Sequence, residues 1–523
     1  MTTNQTKLPK ESVSYWRKNI DFPTFSSLQE DIQADVSIIG AGLTGITAAY
    51  LLAKEGKKVA LIEADDILNG TTGHTTAKIT AQHGVIYDEL ITHTGKNNAR
   101  LYYEANKNAL AFITDTINEL GINCDYSKQD AYIYATTALA KDKIAKEAKA
   151  YKKLNIPGTE IDELPIPITI KNGLVMPDQA QFHPLKYANE LINEVIRLGG
   201  TVYEQTTAVN VETGEKPTVL TRNNCRIQAD YILQCTHFPF YEGLGLYSTR
   251  MYAERSYVLA AKTKEPYPGG MYISTDEDTR SLRPVRIDGE DMVLIVGAAH
   301  KTGQGKKDTM DYYKMLETFG EQTFGIESIP YRWSAQDLTS LDKLPYVGPL
   351  TSEQSNIMVA TGYRKWGMTN STAAAHVLTD MVMKRKNTFS QMYTPSRFHA
   401  TPSIKTFLKE NGNVAAQLIK GKLGTIRKDA DDLAPDTGAV TMIDGQRKGI
   451  YKNGDGEVFL VDTTCTHVGC EVSWNQAEKT WDCPCHGSRF SYTGEVIEGP
   501  AEKPLKRYDY TMLDNLTSED SGY

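Results

Sequence analysis

The fold of this chain is decided near its N-terminus, where residues 35–63 read DVSIIGAGLTGITAAYLLAKEGKKVALIE. Two short apolar runs, residues 35–40 and 58–63, are typical of buried parallel strands. Residues 43–55, between them, have the length and composition of a helix, and glycines stand where the first strand turns into it. The sequence therefore predicts a strand, a helix and a second strand, which open a parallel α/β sheet.

The glycines of this opening have the spacing of a dinucleotide-binding turn. Gly40 allows the tight turn, Gly42 lets the backbone approach a pyrophosphate, and Gly45 brings the helix close to the strand. Glu63 ends the second strand eighteen positions after Gly45, where an acidic side chain accepts a hydrogen bond from a ribose hydroxyl. We therefore expect an adenine dinucleotide here.

Composition and charge limit what else the chain does. Its 523 residues predict several domains, and its 57 basic against 65 acidic side chains give a net charge of -8, which disfavours nucleic acid as a partner. The first twenty residues contain no apolar stretch typical of a secretory signal, so we expect a cytoplasmic protein. Residues 36–53 carry no charge, but their glycines favour a strand and a helix over a transmembrane segment.

A second group of chemically active residues lies near the C-terminus, where residues 465–470 read CTHVGC and residues 483–488 read CPCHGS. Both segments resemble the two cluster-binding loops of the Rieske family, over roughly the last hundred residues. The resemblance implies a [2Fe-2S] cluster with two thiolate and two imidazole ligands, which lessen its negative charge. The predicted iron ligands are Cys465, His467, Cys483 and His486.

The Rieske resemblance also assigns the remaining residues of the two loops. It implies that Cys465 and Cys483 hold one iron and that the histidines hold the other, while Cys470 and Cys485 correspond to the family's disulfide between loops. Phe490 stands where the members of highest potential carry a tyrosine hydroxyl. Because hydrogen bonds to sulfur stabilise the reduced cluster, we expect a potential below that of respiratory Rieske proteins.

A zinc site is the alternative for cysteines and histidines at these spacings. Pro484, Gly487 and Ser488, at matching loop positions, go beyond what zinc coordination requires. The segment Cys235-Thr-His237 also spells CTH, but no Cys-x-x-His follows it nearby, so we interpret it as the buried end of a strand.

An oxygenase would place a mononuclear iron site of two histidines and a carboxylate after the cluster. No histidine follows His486, so the sequence disfavours this class.

Segments downstream of the dinucleotide turn decide which dinucleotide binds. They read GTTGHTTA (70–77), WSAQD (333–337), DKLPYVG (342–348) and ATGYRKWGMT (360–369). In this order they resemble segments of the D-amino-acid-oxidase-like flavoproteins, which include glycine and sarcosine oxidases, over about residues 30–385. The resemblance favours FAD.

The same resemblance implies which residues contact the flavin. These are Thr71, Thr72, His74, Gly362, Gly367, Met368 and Thr369. In the last loop, backbone amides face the C2 carbonyl end of the flavin and stabilise the reduced ring. His74 has two interpretations: a noncovalent polar contact, or a covalent bond to the flavin as in dimethylglycine and sarcosine dehydrogenases.

Pairing a flavin with a one-electron cluster predicts an enzyme that oxidises a small amine, amino acid or hydroxy acid and exports single electrons. The acceptor would be a protein or a quinone-like molecule. Arg255, Tyr257 and Lys365 are candidate substrate contacts, and no catalytic base is evident. Two alternatives are a redox carrier or sensor without its own substrate, and an oxygen-using oxidase with a degenerate Rieske loop.

These observations predict an α/β Rossmann-like FAD-binding domain with an antiparallel-sheet substrate domain, followed by an all-β Rieske domain. The predicted parts are an N-terminal arm (1–34), the oxidoreductase (35–385), a linker with a helix (386–428) and the Rieske domain (429–523). Within the oxidoreductase, the FAD-binding part covers about 35–230 and 325–385, and the substrate-side part about 231–324.

Overall fold

The computed structural model of the chain describes residues 6–18, 20–397, 400–423, 433–443 and 445–509. The chain divides into two compact units, of which the first holds residues 1–251, 255–299 and 313–404, and the second holds residues 252–254, 300–312 and 405–523. The predicted start of the Rieske domain at residue 429 lies outside the described residues.

The described residues contain eight helices. They are α1 (Leu43–Lys54), α2 (Tyr87–Leu120), α3 (Ala138–Leu154), α4 (Pro184–Arg197), α5 (Thr309–Phe324), α6 (Gly367–Val382), α7 (Ser390–Tyr393) and α8 (Ala400–Leu423). Among them, none combines the length and apolar character needed to cross a bilayer.

The first unit contains two sheets, and the first of these carries the predicted opening. Its strands are β1 (Ile32–Ile39), β2 (Val59–Ile62), β7 (Thr201–Tyr203), β8 (Ala208–Glu212), β9 (Thr218–Thr221), β10 (Arg226–Gln234), β16 (Tyr346–Pro349) and β17 (Ile357–Thr361). Five of them run parallel in the order β17-β10-β1-β2-β7. The last four residues of β1, Val36–Ile39, are buried between β10 and β2, which explains why three of the four are apolar.

The second sheet is largely antiparallel. Its strands are β3 (Lys78–Ile79), β4 (Ser127–Ala135), β5 (Thr159–Ile161), β6 (Asn172–Gln181), β11 (Met251–Thr263), β12 (Met271–Ser274), β13 (Arg280–Ile287), β14 (Glu290–Lys301) and β15 (Ile326–Ser340). The order is β15-β11-β14-β13-β12-β4-β6-β3, with β5 beside β6, and β12 pairs parallel with β4.

The two sheets interleave along the chain, since β3 to β6 lie within residues 78–181 and β15 within 326–340. The predicted division assigned about residues 35–230 and 325–385 to the FAD-binding part, and so did not assign β3 to β6 and β15 to the second sheet. The reason is that partners of a strand can lie far apart in the sequence, and their pairing leaves no local pattern.

The second unit contains two four-stranded antiparallel sheets. The strands are β18 (Thr437–Ile443), β19 (Gln446–Lys452), β20 (Val458–Asp462) and β25 (Arg507–Tyr508) in one, and β21 (Ser473–Asn475), β22 (Thr480–Asp482), β23 (Arg489–Ser491) and β24 (Val496–Glu498) in the other. The loop of residues 465–470 joins β20 to β21, and the loop of residues 483–488 joins β22 to β23. Trp481, Phe490 and the loop cysteines share one buried core.

Candidate functional site

The turn between β1 and α1 leaves no room for side chains at two of its glycines. Gly40 has a φ of +99°, and a Cβ atom on it would lie 2.6 Å from the carbonyl oxygen of Cys235. A Cβ on Gly45 would lie 2.0 Å from the carbonyl oxygen of Gly40. The backbone of β1, the first turn of α1 and the end of β10 are therefore in direct contact, as a dinucleotide turn requires.

Glu63 lies at the end of β2, where its carboxylate faces the turn. It accepts hydrogen bonds from the backbone N–H groups of Ala41 (2.8 Å), Ala64 (2.8 Å) and Asp65 (3.3 Å). Burial raises the pKa of Glu63, and these three donors oppose the rise. The carboxylate is thus held in place at the position where the sequence predicts a ribose contact.

The loop of residues 70–77 contacts the start of α1. The hydroxyl of Thr72 accepts a hydrogen bond from the N–H of Leu43 at 3.1 Å, and a Cβ on Gly42 would lie 3.3 Å from it. Thr71 donates to the carbonyl of Gln336 at 3.3 Å. Loop, helix and second sheet thus meet around the turn, and this cradle of backbone donors and small side chains fits the diphosphate of a dinucleotide.

His74 has a fixed ring orientation. Its Nδ1 lies 2.9 Å from the carbonyl oxygen of Gly70, so Nδ1 carries a proton and donates it to this carbonyl. The carbonyl of His74 accepts a hydrogen bond from Nε1 of Trp333 at 2.9 Å. This orientation is compatible with both interpretations of His74, which remain predictions.

The loop before α6 has an unusual backbone. Gly362, Arg364 and Lys365 have φ values of +79°, +50° and +65°. Left-handed conformations cost non-glycine residues about 1–3 kcal/mol and concentrate at ligand sites. Helix α6 then begins at Gly367, and Met368 and Thr369 are buried in its first turn.

A buried histidine supports this turn, and the sequence analysis did not identify it. Nε2 of His83 lies 2.8 Å from the carbonyl of Thr80 and 3.2 Å from the hydroxyl of Thr369, and Nδ1 lies 2.6 Å from the hydroxyl of Tyr102. The ring stacks on Trp366 at 4.6 Å. Burial and then Arg364 lower the pKa of His83 to about 3, so the ring is neutral.

His237 also borders the crevice, at the end of β10. It has a left-handed φ of +63°, and its Nδ1 lies 3.2 Å from the hydroxyl of Thr71. Its Nε2 is buried without a hydrogen-bond partner in the part of the chain that the structure describes. Cys235 is buried, as expected for the end of a strand, and the ring of His237 reaches the predicted flavin loop.

The three candidate substrate contacts have other surroundings. Arg255 is fully buried and donates through Nη1 to the hydroxyl of Ser334 at 2.8 Å, and the ring of Tyr257 lies 4.8 Å from that of Tyr313 in α5. Side chains two positions apart on a strand point to the same face of the sheet. Arg255 and Tyr257 therefore lie on the same face of β11, where the ring of Tyr257 meets α5. Lys365 is exposed. Their contact with a substrate stays a prediction.

Lys78 is a second residue that the sequence analysis did not single out. It directly follows the loop of residues 70–77, and its Nζ donates to the carbonyl of Tyr272 (2.9 Å) and the hydroxyl of Ser281 (2.7 Å). Burial, and then the charge of Arg283, lower the pKa of Lys78 to about 7. Near neutral pH the second sheet thus presents an amine that can accept a proton.

The two loops of the second unit share one backbone geometry. In each, the carbonyl of the first cysteine, Cys465 or Cys483, accepts a hydrogen bond from a glycine four residues later, at 3.0 and 3.1 Å. These glycines, Gly469 and Gly487, have φ values of +80° and +83°. The N–H of each first cysteine donates to the last carbonyl of its own loop at 2.8 Å. Two matching turns thus present the predicted ligands.

The predicted ligands of the two loops face one another. The rings of His467 and His486 lie 5.0 Å apart, and Nδ1 of His486 is buried without a hydrogen-bond partner among the described residues. Burial and then His467 lower the pKa of His486 to about 4, so its ring is in the neutral form that binds metals. A hydrogen bond with Cys483 lowers the pKa of Cys465 to about 7. This donor set fits a [2Fe-2S] cluster.

A disulfide joins Cys470 to Cys485 and so links the two loops. Among the described residues, Cys470, Cys483 and Cys485 form a group whose sulfur atoms all lie within 4.8 Å of one another. The disulfide between Cys470 and Cys485 uses two of these three sulfurs. A tetrahedral zinc ion needs four ligand atoms about 3.3–3.8 Å apart. The disulfide leaves one sulfur of this group, that of Cys483, for a metal ion.

Residues 300–312 support the second loop within the second unit. Nε2 of Gln304 donates to the carbonyl of Pro484 at 2.7 Å, and a Cβ on Gly303 would lie 2.7 Å from the nitrogen of Pro484. Gln304 also exchanges hydrogen bonds with Asn413 of α8, at 2.7 and 3.2 Å. No sequence pattern indicates this support, because its partners are about 180 residues apart.

Comparisons with known proteins agree with both sites. Residues 35–381 match the DAO family model, described as FAD dependent oxidoreductase, and residues 426–509 match the Rieske [2Fe-2S] domain. A putative Rieske 2Fe-2S iron-sulfur protein of Bacillus subtilis, YhfW, is 51% identical over 496 residues, or 95% of this chain and 97% of that protein. The gamma-glutamylputrescine oxidoreductase of Escherichia coli is 22% identical over 402 residues, covering 72% of this chain and 90% of that protein.

A solved structure has the fold of the first unit. Glycine oxidase from Geobacillus kaustophilus superimposes with a TM-score of 0.59 at 16% identity, covering 70% of this chain and 99% of that chain. Together with the four sheets, this likeness and the Rieske match confirm the predicted fold class.

Proposed function

Because the chain belongs to the FAD dependent oxidoreductase family and carries a Rieske [2Fe-2S] domain, we propose that it oxidises a small amine, amino acid or hydroxy acid and passes the electrons singly to a separate acceptor. Its cofactors are FAD and the [2Fe-2S] cluster. The observation that carries the proposal is that one chain contains both a dinucleotide turn and two facing cluster loops.

Bound FAD accepts two electrons from the substrate as hydride, and the bound cluster carries them onward one at a time. The chain's own residues hold and orient these groups. Glu63 and the first turn of α1 would hold the adenosine and diphosphate end, and the N–H groups of Met368 and Thr369 in the first turn of α6 would stabilise negative charge on the reduced flavin. Cys465, His467, Cys483 and His486 hold the irons.

Lys78 is the proton acceptor in this proposal. An amine gives up hydride only from its neutral form, and the lowered pKa of Lys78 lets its side chain take the extra proton near neutral pH. Lys78 directly follows the loop of residues 70–77, and its Nζ lies on the second sheet, bound to Tyr272 and Ser281.

Two relatives support the substrate class by their names, one as an oxidoreductase of gamma-glutamylputrescine and the other as a glycine oxidase. Both names describe compounds with an amine next to an oxidisable carbon. The acceptor is a protein or a quinone-like molecule, and the place of action is the cytoplasm.

The test is anaerobic reduction of the full-length holoprotein by a panel of amines, amino acids and hydroxy acids. Optical spectra follow the flavin, and paramagnetic resonance follows the cluster. We expect at least one compound to bleach the flavin and then to reduce the cluster. The variant Cys483→Ser should keep the bleaching and lose the cluster signal, whereas Cys225→Ser, a buried cysteine outside both loops, should behave as wild type.

If no compound of the panel reduces the flavin, and only a partner protein reduces the two cofactors, the proposed enzyme activity is refuted and a redox carrier or sensor is favoured. Rapid reaction of the bleached flavin with oxygen, equal in the wild type and Cys483→Ser, would instead favour an ordinary oxidase.

A further inference from the structure

Helix α8 exposes large apolar side chains along one face. The exposed fractions are 50% for Ile404, 40% for Phe407, 67% for Leu408 and 64% for Ile419, and Ala415 is exposed as well. At 3.6 residues per turn, residues 404, 408, 415 and 419 lie within about 60° of one another, and Phe407 borders them. They form an apolar stripe, interrupted by Asn411, which we call the outer face of α8.

The face of the helix that adjoins this stripe, next to Phe407, is fixed within the second unit. Val414 and Leu418 pack against the core around the cluster loops, and the carbonyl oxygen of Val414 lies 3.9 Å from Sγ of Cys485. Glu410 is buried and forms an ion pair with Lys301. The helix is therefore held by its inner face, and its outer face is left for a separate binding partner.

The charge of α8 contrasts with that of the whole chain. Its sequence contains four lysines, at 405, 409, 420 and 422, and one acidic residue, Glu410, whose charge Lys301 neutralises. The chain as a whole has a net charge of -8. The helix therefore combines an apolar stripe with a local excess of positive charge, the pattern of helices that lie in the headgroup region of a bilayer.

We propose that the outer face of α8 binds the surface of an anionic lipid bilayer. The apolar stripe enters the boundary between headgroups and acyl chains, and the exposed Lys409 attracts anionic headgroups. A bilayer surface suits the whole length of this helix, about 36 Å for 24 residues, without a groove shaped to receive it.

This docking has a consequence for electron export, and that consequence rests on the proposed function. The cluster loop contacts the inner face of α8, which adjoins the outer face, so no more than the width of one helix, about 10–12 Å with side chains, separates the loop from the lipid surface. The acceptor would then be a lipid-soluble quinone, which takes two electrons in two single steps and two protons from water to form a quinol. The docking itself does not depend on this reaction.

Vesicle binding of the full-length holoprotein tests the docking without reference to activity. The probe is a vesicle of phosphatidylglycerol and phosphatidylcholine, compared with phosphatidylcholine alone. We expect wild type to float with the anionic vesicles, and Leu408→Ser with Ile419→Ser to weaken partitioning by about tenfold or more. The matched control is Leu139→Ser with Leu244→Ser, which replaces leucines that are 75% and 85% exposed elsewhere and should bind as wild type.

A charge reversal distinguishes electrostatic binding to anionic lipid from nonspecific hydrophobic adsorption. Lys409→Glu, at an exposed lysine of α8, should weaken binding to anionic vesicles more than to neutral ones, whereas Lys143→Glu in α3 should not. Equal flotation of all variants, or none by wild type, would overturn the proposal. A wild-type dimer in light scattering that the Leu408→Ser, Ile419→Ser variant dissociates would assign the face to a second copy of the chain, and would overturn it too.

Discussion

The two cofactor sites of this chain are built in opposite ways. The dinucleotide crevice is made mainly by backbone, since a Cβ at Gly45 would lie 2.0 Å from the carbonyl oxygen of Gly40. The cluster site is made by four side chains on two loops that share one turn geometry, with a φ of +80° at Gly469 and +83° at Gly487. The dinucleotide site depends on the absence of side chains at its glycines, and the cluster site depends on the presence of four ligand side chains.

This difference predicts how each site fails. A cluster ligand supplies a bond that no other residue can replace, so its loss should be complete. A glycine supplies space, so the effect of adding a methyl group should follow the distance to the nearest atom. The two sites should also fail separately, with FAD retained when the cluster is lost.

The largest effect is expected from Cys483→Ser. A serine hydroxyl is a poor ligand for iron in this setting, and the remaining Cys465 cannot hold its iron alone. We expect iron below a tenth of wild-type content by elemental analysis and no cluster signal, with FAD content unchanged. Cys124→Ser, at another buried cysteine, is the control and should keep its iron. Zinc in wild-type protein would contradict the assignment of both loops.

The next effect is expected from Gly45→Ala, whose methyl group meets the carbonyl of Gly40. We expect bound FAD to fall below a tenth of wild type, measured by absorbance after gel filtration, with the cluster signal retained. Gly42→Ala should disturb the folded chain less, because its Cβ would lie 3.3 Å from the Thr72 hydroxyl, which can move, but it should also lower bound FAD, because the backbone at Gly42 approaches the pyrophosphate. Gly412→Ala, where no atom lies within 4 Å, is the control. Equal FAD content in all three variants would refute the steric argument.

The comparison also explains how much the sequence could predict. The ligands of the cluster could be named because their chemistry lies in their side chains, and the glycine turn because its spacing is local. The first strand was expected at 35–40 and spans Ile32–Ile39. Such boundaries shift because pairing and packing extend an element beyond its apolar pattern.

Residues that support the sites from a distance could not be predicted. His83 reaches Thr369 across 286 positions, and Gln304 reaches Pro484 across 180. Both are ordinary polar residues in the sequence, and only the fold gives them these partners. Lys78 differs from the other lysines of the chain only through its burial and its neighbour Arg283.

A smaller effect is expected from Lys78→Met. The pKa of Lys78 falls from 10.5 to about 7 on folding, so the unfolded chain binds the extra proton between these values. The stability of wild type should therefore rise with pH from about 7 to 10.5, and the charged lysine should cost stability below pH 7. We expect Lys78→Met to be more stable than wild type at pH 6 by about 1–3 kcal/mol, with the difference shrinking toward pH 10.

Thermal unfolding of both proteins across this range measures the effect, with Lys141→Met, at an exposed lysine, as the control. Parallel pH profiles of wild type and Lys78→Met would contradict the lowered pKa. If Lys78 also takes the substrate proton, the rate of flavin reduction by wild type should fall as the pH drops below about 7, and Lys78→Met should lose this dependence.

The smallest effect is expected from Phe490→Tyr, in the core beside the cluster loops. Phe490 is fully buried and pairs with Trp481 across β22 and β23. A tyrosine hydroxyl that reaches a cluster sulfur would add one hydrogen bond, worth about 1 kcal/mol, which corresponds to about 40 mV for a one-electron couple. Because this bond stabilises the reduced form, the potential should rise by about that amount.

Redox titration monitored by paramagnetic resonance measures this shift. Phe459→Tyr is the matched control, since Phe459 packs against Tyr451 and Tyr492 in the same unit and away from both loops. An unchanged potential in Phe490→Tyr, with the cluster intact, would mean that the hydroxyl does not reach a sulfur. A rise in both variants would assign the effect to the polarity of the unit as a whole. A rise confined to Phe490→Tyr would show that, once the four ligands are in place, neighbouring hydrogen bonds set how readily the cluster accepts an electron.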